Sequence, residues 1–164
     1  MAQENRVEIT AMDQLRPIFW TSELGIGVKT IDDEHKLLLS IFNDLVAALR
    51  TDRPQSTAQR VIEELGGYTD YHFHHEEQLM LALGFPGLEE HRREHARLSE
   101  RLAGLRQDLS AARLQLSELV DFVRALVSSH FMRTDRRMAE FLQTALAGQS
   151  PDLIFQQAED GPGP

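Results

Sequence analysis

The sequence predicts an all-α fold, an antiparallel up-and-down four-helix bundle with an N-terminal arm and a short C-terminal helix. Three observations carry this. Good helix formers (Leu, Ala, Glu, Arg and Gln) are abundant, while β-branched runs bounded by turn residues are scarce. Apolar residues recur at three- and four-residue spacing in four successive stretches joined by short connections. Each of these stretches also places histidine where the spacing calls for an apolar side chain.

Taken in order, the first stretch of about 30 residues lacks a sustained stripe and contains Pro17, Gly25 and Gly27. It reads as an extended arm with Ile18, Phe19 and Trp20 packed on the body. From about Asp32 to Arg50, His35, Leu38, Leu39, Phe42, Leu45, Val46 and Leu49 mark a first helix, with Asp32 or Asp33 suited to its N-cap. A turn at Thr51-Asp52-Arg53-Pro54 leads to a second helix from about Ser56 to Leu83. Gly66-Gly67 in its middle suggests a kink or a close helix approach. Its stripe is Val61, Leu65, Tyr68, His72, Glu76, Leu79 and Leu83.

Gly84-Phe85-Pro86-Gly87 stops that helix. The third helix has the cleanest heptad: Leu88, His91, His95, Leu98, Leu102, Leu105 and Leu109. A boundary near Ser110 to Leu114 precedes a fourth stripe, Leu116, Leu119, Val120, Val123, Leu126, Val127 and His130. Asp135 follows His130 at about 140° around an ideal helix, so both reach one point only if the helix bends or ends between them. Thr134-Asp135 is suited to cap a short last helix, Arg136 to Leu146. The expected organisation is an arm over 1–19, a bundle over 20–147 and a flexible tail over 148–164, of which Leu153, Ile154 and Phe155 could dock.

At 164 residues the chain suits one domain. A formal net charge of -9 argues against nucleic acid or an anionic membrane as partner. The chain has no cysteine, which excludes thiolate ligands and disulfides. With no secretory h-region and no apolar run of about 20 residues, a soluble cytoplasmic protein is expected.

The chemistry concentrates in Tyr71-His72-Phe73-His74-His75-Glu76-Glu77. His72 and Glu76 lie one turn apart on the buried stripe. Asp70, His74 and Glu77 face elsewhere and read as a solvated face, while His75 sits at the stripe's edge. Five inward histidines and two inward carboxylates, His35, His72, Glu76, His91, His95, His130 and Asp135, would each cost on the order of 2 kcal/mol or more if left unpaired in an apolar interior. A metal removes the contradiction. The set exceeds the four ligands of a structural zinc site and suits two ions with carboxylates between them. Nitrogen and oxygen donors without sulfur favour iron.

An isolated His35 followed by H-F-x-x-E-E (His72 to Glu77), H-x-x-x-H (His91 to His95) and H-x-x-x-x-D (His130 to Asp135) resembles the hemerythrin family, particularly the single-domain bacterial hemerythrins. The resemblance spans about Trp20 to Leu146. Myohemerythrin is itself a standard up-and-down bundle. The resemblance implies an oxo- or hydroxo-bridged non-haem di-iron centre. His91, His95 and His130 would hold one iron, His35 and His72 the other, with Glu76 and Asp135 bridging. It further implies that dioxygen binds reversibly at an open place on the second iron, for storage, delivery or sensing, and that the protein is not an enzyme. A sensor would need a protein partner.

The pocket departs from the family pattern. Leu126 stands where Trp is common, and Met138 where Tyr is frequent. Leu38, Phe73 and Met132 are the other candidates for the wall beside the open iron. A ferritin-like di-iron oxidase would carry paired Glu-x-x-His motifs, which the sequence lacks. His75-Glu76 opens like the H-E-x-x-H of zinc proteases, but Leu79 replaces the second histidine. A purely structural bundle would leave the histidines unexplained. Peroxide or nitric oxide handling at the same centre is the alternative function.

Overall fold

The computed structural model describes residues 16–48, 54–145 and 153. Over these residues the chain is helical, with a one-turn 3-10 helix at Ser22–Leu24 followed by α1 (Lys29–Ala48), α2 (Pro54–Leu83), α3 (Leu88–Ser110) and α4 (Leu116–Ala125). A π-helical segment, Leu126–Asp135, then leads into α5 (Arg136–Ala145). Residues 125 and 136 keep right-handed helical backbone angles, so α4, the π segment and α5 form one continuous fourth helix. The expected last helix is therefore present, but no cap at Thr134-Asp135 separates it.

α1 starts earlier than its aspartates suggest. Asp32 lies within its first turn and reaches back, accepting the Ile26 and Gly27 N–H groups at 2.8 and 3.3 Å. Gly27, at φ +84°, supplies the left-handed residue this loop needs. Pro54 occupies the first position of α2, where its missing N–H costs nothing. At the other end Gly84, at φ +65°, closes a Schellman motif: its N–H reaches the Leu81 carbonyl at 3.2 Å, and the Phe85 N–H reaches that of Met80 at 2.9 Å. α2 is unbroken at Gly66 and Gly67, and a Cβ at either would meet nothing within 4 Å, so no close helix approach explains them.

The expected α3 stripe is buried at His91, His95, Leu98, Leu102 and Leu105. α3 ends at Ser110, inside the expected boundary, and the Glu118 carboxylate accepts the Gln115 N–H at 3.1 Å where α4 begins. The arm is tied down in part. Asn43 receives the Ile18 N–H at 2.8 Å and donates to its carbonyl at 2.9 Å, and Ile18 and Trp20 pack on the core. Phe19, expected beside them, is 74% exposed, as alternation in an extended segment sends neighbours to opposite sides. Leu153, expected to dock, is exposed. Residues 1–15, Ile154 and Phe155 lie outside the described residues.

The core divides into two apolar layers. The larger contains Leu38, Phe42, Leu45, Leu65, Phe73, Leu98, Val123, Leu126 and Phe131. The smaller contains Ile26, Val28, Ile31, Leu79, Met80, Met138 and Leu142. Along α1 the order is Ile31, His35, Leu38; along the fourth helix it is Leu126, His130, Asp135, Met138. A polar layer thus crosses the bundle between two hydrophobic ones.

Candidate metal centre

All seven side chains expected to turn inward do so: His35, His72, Glu76, His130 and Asp135 are fully buried, and His91 and His95 are at most 3% exposed. Regular helical spacing accounts for six of them. Asp135 needs the π segment, because widening each turn from i→i+4 to i→i+5 brings residues five apart towards one face. This is the physical answer to the angular gap between His130 and Asp135. The helix neither ends nor caps there; it widens.

The five rings aim Nε2 at the two carboxylates. Glu76 divides its oxygens: Oε1 lies 3.8 Å from His35 Nε2 and 3.6 Å from His72 Nε2, whereas Oε2 lies 3.2, 3.1 and 3.7 Å from His91, His95 and His130. Asp135 does the same, with Oδ2 3.4 Å from His35 and Oδ1 3.3 Å from both His91 and His130. Two ligand groups result, Glu76 with His91, His95 and His130, and His35 with His72, Glu76 and Asp135. Within each group one donor atom per residue lies within 4.8 Å of the others. The residues fit metal on a further count. His35 Nε2, His72 Nε2, Glu76 Oε1 and both Asp135 oxygens are buried without a hydrogen-bond partner, which is costly unless a cation takes their lone pairs.

Without metal, protons hold this cluster together. Burial opposes a charged His35, but the nearby Asp135 and Glu76 carboxylates outweigh it and push its pKa up to about 10; the same balance raises His91 to about 10. Burial dominates at His72 and lowers its pKa. Burial would raise Glu76, yet His72, His130, His35 and His91 together hold it well below the usual carboxylate range. Asp135 is likewise lowered, burial and Glu76 being outweighed by His130, His35 and His91.

The family described as Hemerythrin HHE cation binding domain matches residues 26–142. The chain belongs to the hemerythrin family. Among its relatives is a bacteriohemerythrin of Stenotrophomonas maltophilia, 29% identical over 129 residues that cover 79% of this chain and 84% of that protein. A bacteriohemerythrin of Pseudomonas aeruginosa is 26% identical over 144 residues, covering 88% and 91%. In three dimensions the crystal structure of a hemerythrin point mutant aligns with a TM-score of 0.66 at 25% identity, covering 82% of this chain and 97% of that one. The four-helix bundle is therefore the hemerythrin bundle, with a His, Glu and Asp cluster suited to metal.

Around this hemerythrin cluster lies a layer of acceptors that spacing alone did not reveal. Glu34, only 3% exposed, accepts a hydrogen bond from His72 Nδ1 at 2.9 Å and another from His75 Nδ1. His75 is thereby resolved as a buried residue holding Glu34, with the Tyr71 ring against it at 3.9 Å. Glu77, expected on a solvated face, instead accepts from His95 Nδ1 at 2.8 Å and from Arg92 at 3.2 Å. His35 Nδ1 donates to the Leu24 carbonyl at 3.2 Å. Each contact places the proton on Nδ1 and leaves Nε2 free for a metal. The available signal was adjacency: Glu34 precedes His35, and Glu77 follows Glu76.

The expected pocket wall is partly corrected. Leu38, Phe73 and Leu126 share the larger apolar layer. Phe73 stacks on His95 at 3.8 Å with the rings 7° apart. Met132 is 45% exposed and does not cover the site; Phe131 stacks on His35 at 3.9 Å and meets the His72 ring edge-on at 6.0 Å. The face that turns inward after His130 is thus one residue earlier than expected. Met138 is fully buried but belongs to the other apolar layer, across the polar one.

Proposed function

We propose that this protein binds dioxygen reversibly at a non-haem di-iron centre. His91, His95 and His130 would hold one iron and His35 and His72 the other, with Glu76 and Asp135 shared between the two groups. The observation that carries the reading is the division of both carboxylates, one oxygen toward each histidine group. A single ion would not use both groups, and five histidines to two carboxylates differs from the carboxylate-rich set of ferritin-like oxidases.

Bound ferrous iron supplies the electrons that make dioxygen a ligand; the chain's own residues set the conditions. Glu34, Glu77 and the Leu24 carbonyl fix ring orientation. Phe131, Leu38, Phe73 and Leu126 form an apolar surround that limits water and protons at the site. This favours carriage of oxygen over its turnover, and so storage, delivery or sensing over catalysis. Among the described residues no helix is long and apolar enough to cross a membrane.

The test is to load iron, reduce the protein without oxygen, admit air, then remove oxygen while recording the visible spectrum. A charge-transfer band that appears and disappears reversibly, with two irons per chain, is expected. One zinc per chain, or irreversible bleaching on first contact with air, would sink the reading.

A further inference from the structure

Among the described residues Thr69 is the buried side chain that carries a hydroxyl, and it is 1% exposed. Its Oγ1 has no hydrogen-bond partner. A helical threonine commonly satisfies this group on the carbonyl four residues back; Thr69 does not. Leaving it unsatisfied opposes folding, so it calls for a ligand.

Helical geometry indicates where that ligand sits. Val61, Leu65, Thr69, His72, Glu76 and Leu79 are buried on α2. Thr69 precedes Glu76 by two turns and so points within about 20° of the same direction, towards the middle of the bundle. His72 and Phe73 follow it by one turn. α1 and the fourth helix approach the same level from their own histidines. Leu38 lies one turn beyond His35 on α1, Leu126 one turn before His130, and both are buried in the larger apolar layer. Thr69 is therefore a lone hydroxyl in an aliphatic and aromatic surround, one turn from the His72 ring.

We propose that Thr69 anchors the small molecule that enters beside the metal held by His35 and His72, its hydroxyl donating a hydrogen bond to the terminal atom of a two- or three-atom ligand with exposed lone pairs. Dioxygen and small linear anions such as azide belong to this class. The inference rests on the di-iron reading and deepens it: apolar walls select for size, and one donor retains the ligand. An isosteric test is available, because Thr69→Val removes the hydroxyl while keeping the shape, and Thr69→Ser keeps the hydroxyl.

Azide is titrated into the oxidised, iron-loaded full chain and followed by visible absorption, and the melting temperature of each metal-free variant is measured. Expected are azide binding weakened roughly three- to tenfold in Thr69→Val, near wild-type binding in Thr69→Ser, and metal-free Thr69→Val melting at or above wild type. Unchanged azide affinity in Thr69→Val at wild-type iron content overturns the proposal. So does a lowered metal-free melting temperature in Thr69→Val, since it would mean the hydroxyl is bonded within the protein. A wild type that takes up iron but shows no azide band overturns the proposal as well, and a wild type that takes up no iron overturns the di-iron reading with it.

Discussion

The Glu34 carboxylate on α1 lies 2.9 Å from His72 Nδ1 on α2 and also accepts a hydrogen bond from His75 Nδ1. One acid, beside a histidine of its own helix, therefore orients a histidine of the next. Replacing Glu34 with Ala leaves two buried ring nitrogens without an acceptor, and losing such a partner typically costs about 10–100-fold in metal affinity. Competition with a chelator measures it. Wild-type affinity in Glu34→Ala would mean that packing alone fixes His72.

The helix face separates two neighbouring histidines. His72 is fully buried, with Nε2 3.6 Å from Glu76 Oε1, whereas His74 is exposed. His72→Ala should abolish the paired site, while His74→Ala should leave iron content and colour nearly unchanged. Equal losses in both would contradict this division of α2.

Phe131 and Met132 divide the wall in the same way. Phe131 is 1% exposed and stacked on His35; Met132 is 45% exposed. Phe131→Ala should lose about 3–5 kcal/mol of stability and speed decay of the oxygenated band in air, as water enters the space. Met132→Ala should stay within about 0.5 kcal/mol of wild type and decay at the wild-type rate. Denaturant unfolding and the band's half-life at matched iron content read both. The opposite ranking would place Met132 at the site after all.

The pH dependence of the metal-free protein follows from the same cluster. His35 and His91, raised to about 10, give stability that is complete below their unfolded value near 6.5 and is lost as pH rises through about 10. Glu76 and Asp135, both lowered, give stability that is complete above about 4.5 and 3.8 and is lost as pH falls. His72, lowered by burial, gives stability that is complete above about 6.5 and is lost as pH falls, so the melting temperature of the metal-free form should peak in the upper part of the window between about pH 4.5 and 6.5. Metal must displace the ring protons, so loading should release protons and tighten as pH rises towards 10. A metal-free maximum above pH 8, or pH-independent loading, would show that the histidines are neutral before metal arrives.

The sequence alone determined the helices and six of the seven inward donors, because both follow from local periodicity. His72 and Glu76 lie four apart, His91 and His95 four apart, and a stripe of Leu and Val identifies the face they share. Gly84 marked the end of α2 for an equally local reason, the left-handed backbone that a Schellman turn requires. Tertiary structure decided what depends on contacts between helices. Whether Glu34 faces water or His72, and whether Glu77 meets Arg92 and His95, depends on which neighbour packs there. The π segment is of the same kind. Nothing in Leu126–Asp135 marks it by propensity, and its widened turns bring both His130 and Asp135 to the shared centre. Phe131 and Met132 point about 100° apart even on a regular α-helix, so which of the two is buried against His35 was decided by how the fourth helix packs.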